Sequence, residues 1–176
     1  MRHEDLITLI RGGVEGGGTW ADLGSGAGAF TLTLAELLPR SAVIYSVDRD
    51  ADAIRIQKRT FAERFPGFNV RFITGDFTQG PDLPELDGVL AANSLHFVGD
   101  RKPLLVWLSQ RLRSSGRLIV VEYNIERPNP WVPNPLPYSL WVREAEAAGL
   151  GPARLMAVTP SRYHHEIYSA VSEGRK

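Results

Sequence analysis

The run Asp22-Leu23-Gly24-Ser25-Gly26-Ala27-Gly28 places a carboxylate directly before three closely spaced glycines. Glycine adopts positive φ without steric penalty and leaves no Cβ between the main chain and a ligand, so the run suits a turn that a bound molecule approaches closely. A helix opening after such a turn presents unpaired amides to an anionic group such as a carboxylate. Asp22 supplies the opposite charge, which suits an ammonium or sulfonium group and not a pyrophosphate. The glycines alone leave a second reading open, because Gly24-x-Gly26-x-x-Ala29 also satisfies the relaxed dinucleotide fingerprint.

Two further acidic residues follow in order. Val47-Asp48 ends a hydrophobic run, and an acidic side chain about 20 residues after a glycine loop is placed to grip ribose hydroxyls. Thr74-Gly75-Asp76-Phe77 ends the next run, which sets a carboxylate beside an adenine amino group and an aromatic face against its ring. Singly, Asp48 also reads as a cap for a helix starting near Asp50, and Asp76 as a turn residue. Together, at successive strand ends, the three elements describe an adenosine-binding edge.

Short apolar runs alternating with helix-length amphipathic stretches must position these residues, a pattern that predicts crossover units and a parallel sheet. Strands are predicted at 19–23, 42–48, 69–74, 88–92 and 117–123, and helices at 4–11, 28–38, 50–65 and 101–114, the last ended by Gly116. Residues 124–137 form a loop with five prolines, followed by a helix over 138–148 that ends at Gly149. Two last strands, 153–158 and 163–172, are joined by only residues 159–162. So short a link holds no parallel crossover, so these two strands are predicted antiparallel to each other.

With those residues in place, the chain resembles the class I S-adenosylmethionine-dependent methyltransferases of the broad small-molecule type, similar to the type 11, 12 and 25 groups. The family pattern acidic-x-Gly-x-Gly-x-Gly matches Asp22 to Gly28, its ribose-binding acid matches Asp48, and its adenine-side acid matches Asp76. The resemblance covers nearly the whole chain. It implies one α/β domain over 1–176, with residues 1–18 a short helix and linker. The implied fold is Rossmann-like and doubly wound, a seven-stranded, mostly parallel sheet with an antiparallel C-terminal strand, which the predicted hairpin matches. The implied cofactor-binding set is Asp22, Gly24, Ser25, Gly26, Gly28, Asp48, Arg49, Gly75, Asp76, Phe77 and Asn93, with S-adenosylmethionine as methyl donor and S-adenosylhomocysteine as product.

For the transfer step, Ala91-Ala92-Asn93-Ser94-Leu95-His96-Phe97 resembles the family segment that faces the donor's methionine end and the acceptor. Methyl transfer to a heteroatom is an in-line displacement needing alignment and, for some acceptors, removal of a proton. His96 is the candidate base, its alternative being a turn packed under the ligand. Tyr123 at the end of the fifth strand and Trp131 in the proline loop are candidates for acceptor contact, against a reading of the loop as a rigid connector whose aromatics, with Tyr138 and Trp141, join the core. Asn93 and Glu122 are the one oxygen pair at neighbouring strand ends, too little to predict a metal. His164 and His165 point to opposite faces of the last strand and do not chelate one ion. Arg55, Lys58, Arg59 and Arg64 fall on one helix and read as a solvated face.

Composition narrows the partners. Of 176 residues, 20 are basic and 20 acidic, without the dense positive surface of a dedicated nucleic-acid binder. The absence of cysteine excludes disulfides, thiolate metal sites and the cluster of radical enzymes that share the methyl donor. No signal-type or membrane-length apolar run is present, which predicts a cytoplasmic protein. Only about one helix precedes the glycine loop where small-molecule members commonly carry a cap of several. The expectation is therefore a small-molecule acceptor, O, N or C, partly aromatic. A nucleic-acid or protein acceptor, a site completed in a homodimer, and a non-catalytic donor-binding subunit remain as alternatives.

Overall fold

The computed structural model describes residues 1–161 and 166–174. Its elements run α1 (His3–Ile10), β1 (Thr19–Leu23), α2 (Ala29–Leu37), β2 (Val43–Asp48), α3 (Ala51–Arg64), β3 (Asn69–Thr74), β4 (Leu86–Ala92), α4 (Lys102–Arg111), β5 (Leu112–Tyr123), α5 (Tyr138–Ala147), β6 (Arg154–Pro160) and β7 (Glu166–Glu173), with 3₁₀ turns at Phe77–Gln79 and Leu95–Phe97. Local chemistry sets the boundaries. The Asp50 carboxylate accepts the Asp52 and Ala53 amides to start α3, and Gly67, at φ +78°, turns the chain after it.

All seven strands form one sheet in the order β3-β2-β1-β4-β5-β7-β6. Strands β1 to β5 are mutually parallel, and β7 runs antiparallel to both β5 and β6. This is the doubly wound sheet with an antiparallel terminal strand that the sequence predicts. The sheet buries both faces, as near-continuous apolar strands require. One face packs Leu23, Val89 and Val120 with Leu105 and Leu108 of α4 and Trp141 of α5. The other packs Trp20, Ile44 and Ile119 with Leu9 of α1, Leu34 of α2 and Phe61 of α3.

The predicted helix over 101–114 is a correction. It ends at Arg111, and residues 112–116 belong to β5. Leu112 is buried and pairs with Leu86 across the β4–β5 ladder, and Gly116 accepts the Gly174 amide at 2.8 Å, so the sheet takes backbone groups that a longer helix would have used.

The proline segment is docked on the fold. Asn129 and Val132 bridge a tight turn, Asn134 donates its amide to the His96 carbonyl at 3.0 Å, and Tyr168 donates its hydroxyl to the Leu136 carbonyl at 2.8 Å. Arg101 locks it from the other side, with a two-pronged bond to Glu144 of α5 and Nη1 on the Val98 and Asn134 carbonyls. Trp141 is fully buried, and the partly buried Tyr138 donates its hydroxyl to the Ala153 carbonyl, so both pack into or against the core from α5, directly after the connector. His164 and His165 lie outside the described residues.

Candidate active site

Strand β1 pairs with β2 on one side and β4 on the other, so the chain direction of winding reverses there and a crevice opens beyond the carboxyl ends of these strands. A cavity of about 690 Å³ occupies that crevice. Gly24, Gly26, Asp48, Arg49, Asp76, Phe77, Asn93 and Ser94 line it, continued by residues of the loop leading into α4.

The glycine loop needs each glycine for a different reason. At Gly24, φ +74°, a Cβ would lie 2.5 Å from the Ser94 Cβ. At Gly26, φ +53°, a Cβ would meet nothing within 4 Å, because that side faces the cavity. At Gly28, φ +90°, a Cβ would strike the Gln57 side chain at 2.6 Å. Ser25 directs its hydroxyl inward to Ser46 and Gln57. Gly28 and Ser25 are thus oriented toward the interior of the fold.

Asp22 sits beneath the loop, 1% exposed, and accepts the Thr31 hydroxyl at 2.6 Å. Burial pushes its pKa up to about 7 against that hydrogen bond, and the neighbouring Asp48 charge adds to the rise. Asp48 divides its carboxylate between the Gly26 amide at 2.7 Å and the Asp50 amide at 2.8 Å. The helix cap is Asp50, and Asp48 stays on the cavity wall.

Gly75 donates its amide to the Asp48 carbonyl, tying the ends of β2 and β3 together. Asp76 accepts the Thr78 amide and hydroxyl on Oδ1, at 2.9 and 2.7 Å, and these bonds hold its carboxyl below the usual range, helped by the Arg49 charge. Phe77 adds its ring to the same wall. Asn93 adopts φ +51°, rare for a residue with a side chain, and its Oδ1 is buried without a hydrogen-bond partner among the described residues. The adjacent Ser94 Oγ is buried without one too.

Behind this wall, His96 Nδ1 lies 2.6 Å from Glu122 Oε2, while Glu122 Oε1 accepts the Leu95 and His96 amides at 2.9 and 3.2 Å. Facing a carboxylate, Nδ1 carries a proton, and Nε2 is the ring nitrogen that Glu122 does not engage. The imidazole is buried, its ring centre 4.2 Å from that of Phe97 and 6.0 Å from that of Tyr123. Phe97 lines the main cavity, and Tyr123 lines a second one of about 420 Å³ with Arg2, Asp5, Thr159 and Ser161. Trp131 stands 73% exposed at its turn and lines neither. On the surface of α3, Arg55 pairs with Asp52, Arg59 with Glu63 and Arg64 with Glu36, and Lys58 is exposed.

Two roles were not legible in the sequence. Nothing in the local sequence singles out Gln57, and Glu122 reads there as a partner for Asn93, whereas in the fold both are buried and hydrogen-bonded.

Comparison with known proteins names this arrangement. A family model described as a methyltransferase domain matches residues 15–164. The chain belongs to that family. The fold of the methyltransferase domain is similar to that of the YcgJ protein from Bacillus subtilis, with a TM-score of 0.79 at 15% identity, covering 99% of this chain and 100% of that one. It is also similar to magnesium protoporphyrin IX methyltransferase (ChlM) from Synechocystis PCC 6803 with bound S-adenosylmethionine, with a TM-score of 0.73 at 20% identity over 99% and 78% of the two chains. In sequence it is 26% identical over 120 residues to the ubiquinone/menaquinone biosynthesis C-methyltransferase UbiE of Hahella chejuensis, 67% of this chain and 48% of the relative. The chain spans 48 to 60% of the length of the curated relatives it matches.

Proposed function

We propose that this methyltransferase domain binds S-adenosylmethionine in the crevice over β1, β2 and β4 and passes its methyl group to a small-molecule acceptor. The observation that carries the reading is one cavity wall holding Asp48, Asp76 and Asn93 at the ends of β2, β3 and β4, around the open side of Gly26.

The residues present fit such a donor. The free side of Gly26 is a cradle that any Cβ would fill, and the unpaired Asn93 Oδ1 and Ser94 Oγ call for a polar ligand group. Asp48 would accept the ribose hydroxyls, Asp76 the adenine amino group beside the Phe77 ring, and Asn93 with Ser94 the polar methionine end. When bound, the donor supplies an electrophilic methyl carbon on a sulfonium.

For an acceptor whose attacking atom carries a proton, His96 is the base of this reading. Glu122 orients the ring through Nδ1, and the imidazole packs against Phe97, which lines the cavity, so Nε2 is the nitrogen that would take the acceptor's proton. The aromatic rings of Phe97 and Tyr123 beside it favour a planar acceptor, with Trp131 an exposed aromatic further along the docked proline segment. No metal enters this reading, since Glu122 is committed to His96 and two amides.

One observation favours a second reading. Among the described residues, nothing before Gly24 or after Leu104 lines the main cavity, and α1 packs against α2, β5, β6 and β7 without covering it. An open site admits a nucleic acid or a protein as acceptor. Incubation with methyl-labelled S-adenosylmethionine and separated metabolite, RNA and protein fractions distinguishes the two. Label in the metabolite fraction supports the proposal, label in RNA or protein supports the second reading, and binding without transfer in any fraction contradicts both.

A further inference from the structure

Gln57 lies on α3, 1% exposed, directly behind the glycine loop. Its Nε2 is 2.8 Å from Ser25 Oγ and donates to the Gly26 carbonyl at 2.6 Å. Ser46 Oγ on β2 lies 2.8 Å from Ser25 Oγ and 2.9 Å from Gln57 Oε1. Counting protons orders these contacts. A serine hydroxyl has one hydrogen, and Gln57 Oε1 only accepts, so Ser46 gives its proton to Gln57 and takes that of Ser25. Ser25 in turn accepts one hydrogen of the Gln57 amide, and the second goes to the Gly26 carbonyl. The three side chains close a ring in which every donor is used. The reversed amide would set Oε1 against the Gly26 carbonyl oxygen, two acceptors 2.6 Å apart, so the orientation is determined.

The ring grips the loop at the residue that opens to the cavity. The Gly26 amide is held by Asp48 and its carbonyl by Gln57, while its free side faces the crevice. Gly28 leaves space for the same glutamine, since a Cβ there would overlap the Gln57 side chain.

We propose that Gln57 is a positioning residue for the methyl donor, clamping the glycine loop in its binding conformation from the side opposite the ligand. This rests on the donor reading above. A loop already ordered loses less freedom on binding, so the clamp acts on donor affinity. Gln57→Met keeps the length and volume and removes both donors. Calorimetry with S-adenosylhomocysteine is expected to show affinity about tenfold weaker, the scale of a lost buried hydrogen bond. Hydrogen exchange of the unliganded protein should be faster across residues 24–28 and unchanged at the far ends of the strands.

An affinity within twofold of the wild type, whether or not thermal stability falls, would overturn the proposal, because a merely structural residue shifts stability alone. Should Gln57→Met not fold, Ser46→Ala opens the same ring on its far side and is expected to weaken affinity about threefold; no change there would overturn the proposal equally. If the wild-type protein does not bind S-adenosylhomocysteine, the donor reading falls instead. The exchange rates of the two unliganded proteins still decide for or against the clamp.

Discussion

Glu122 Oε2 meets His96 Nδ1 at 2.6 Å, and neither side chain is more than 3% exposed. The other Glu122 oxygen is taken by the amides of Leu95 and His96, so one carboxylate from β5 fixes both the loop after β4 and the tautomer of its histidine. A buried ionisable pair is a weak source of stability, whereas a histidine oriented by a carboxylate beside a ligand cavity suits proton transfer.

Glu122→Gln separates these roles. The glutamine carbonyl still accepts the two amides, but its NH₂ faces Nδ1 and moves the ring proton to Nε2, which removes the base. For an acceptor that must lose a proton, kcat should fall by about 10² to 10⁴, the span of general-base catalysis. S-adenosylhomocysteine affinity should stay within twofold. Unaltered kcat would show that His96 takes no proton.

Asp22 gives a stability dependence with a definite sign. Its pKa is pushed up to about 7 in the folded protein from the ordinary carboxylate value of 3.8, so folding favours the protonated form. The folded state is least penalised below the unfolded pKa, and stability is lost as pH rises from about 4 through about 7, by up to roughly 4 kcal/mol. Asp22→Asn, neutral throughout and still able to accept from Thr31, should unfold at a higher temperature than the wild type at pH 8. The gap should close by pH 4. Equal melting temperatures across that range would mean that Asp22 is not ionised in a buried site.

The glycines of the loop should divide by mechanism. Gly26→Ala places a methyl group where nothing lies within 4 Å except the cavity. It should cost about 1 kcal/mol of stability for its positive φ and abolish most donor binding. Gly28→Ala collides with the buried Gln57 and should destabilise more, by about 2 to 3 kcal/mol. Chemical denaturation and calorimetry on both variants read the two quantities separately. The reverse ranking in stability would contradict the packing described behind the loop.

Much of this was legible in the sequence where local physics decides. Strands β1 and β3 fall at their predicted bounds, because short apolar runs are closed by Gly24 and Gly75. The antiparallel hairpin followed from a link too short to cross the sheet. The end of α4 was not legible, since residues 112–114 read as readily as helix and only the ladder with Leu86 makes them strand. In the site, Asp48 and Asp76 announced themselves by position at strand ends. The Gln57 ring and the His96–Glu122 pair join residues 11 to 32 positions apart and 26 positions apart, contacts that no local pattern carries.

The central claim is that the crevice over β1, β2 and β4 holds the methyl donor, and calorimetric titration with S-adenosylhomocysteine tests it most directly. The wild type should bind with Kd at micromolar strength or tighter, about −8 kcal/mol or more favourable. Asp48→Ala loses the ribose acceptor and the bond that holds the Gly26 amide, and should weaken binding by at least about tenfold. Binding of equal strength in the two proteins, or none in the wild type, would contradict the account.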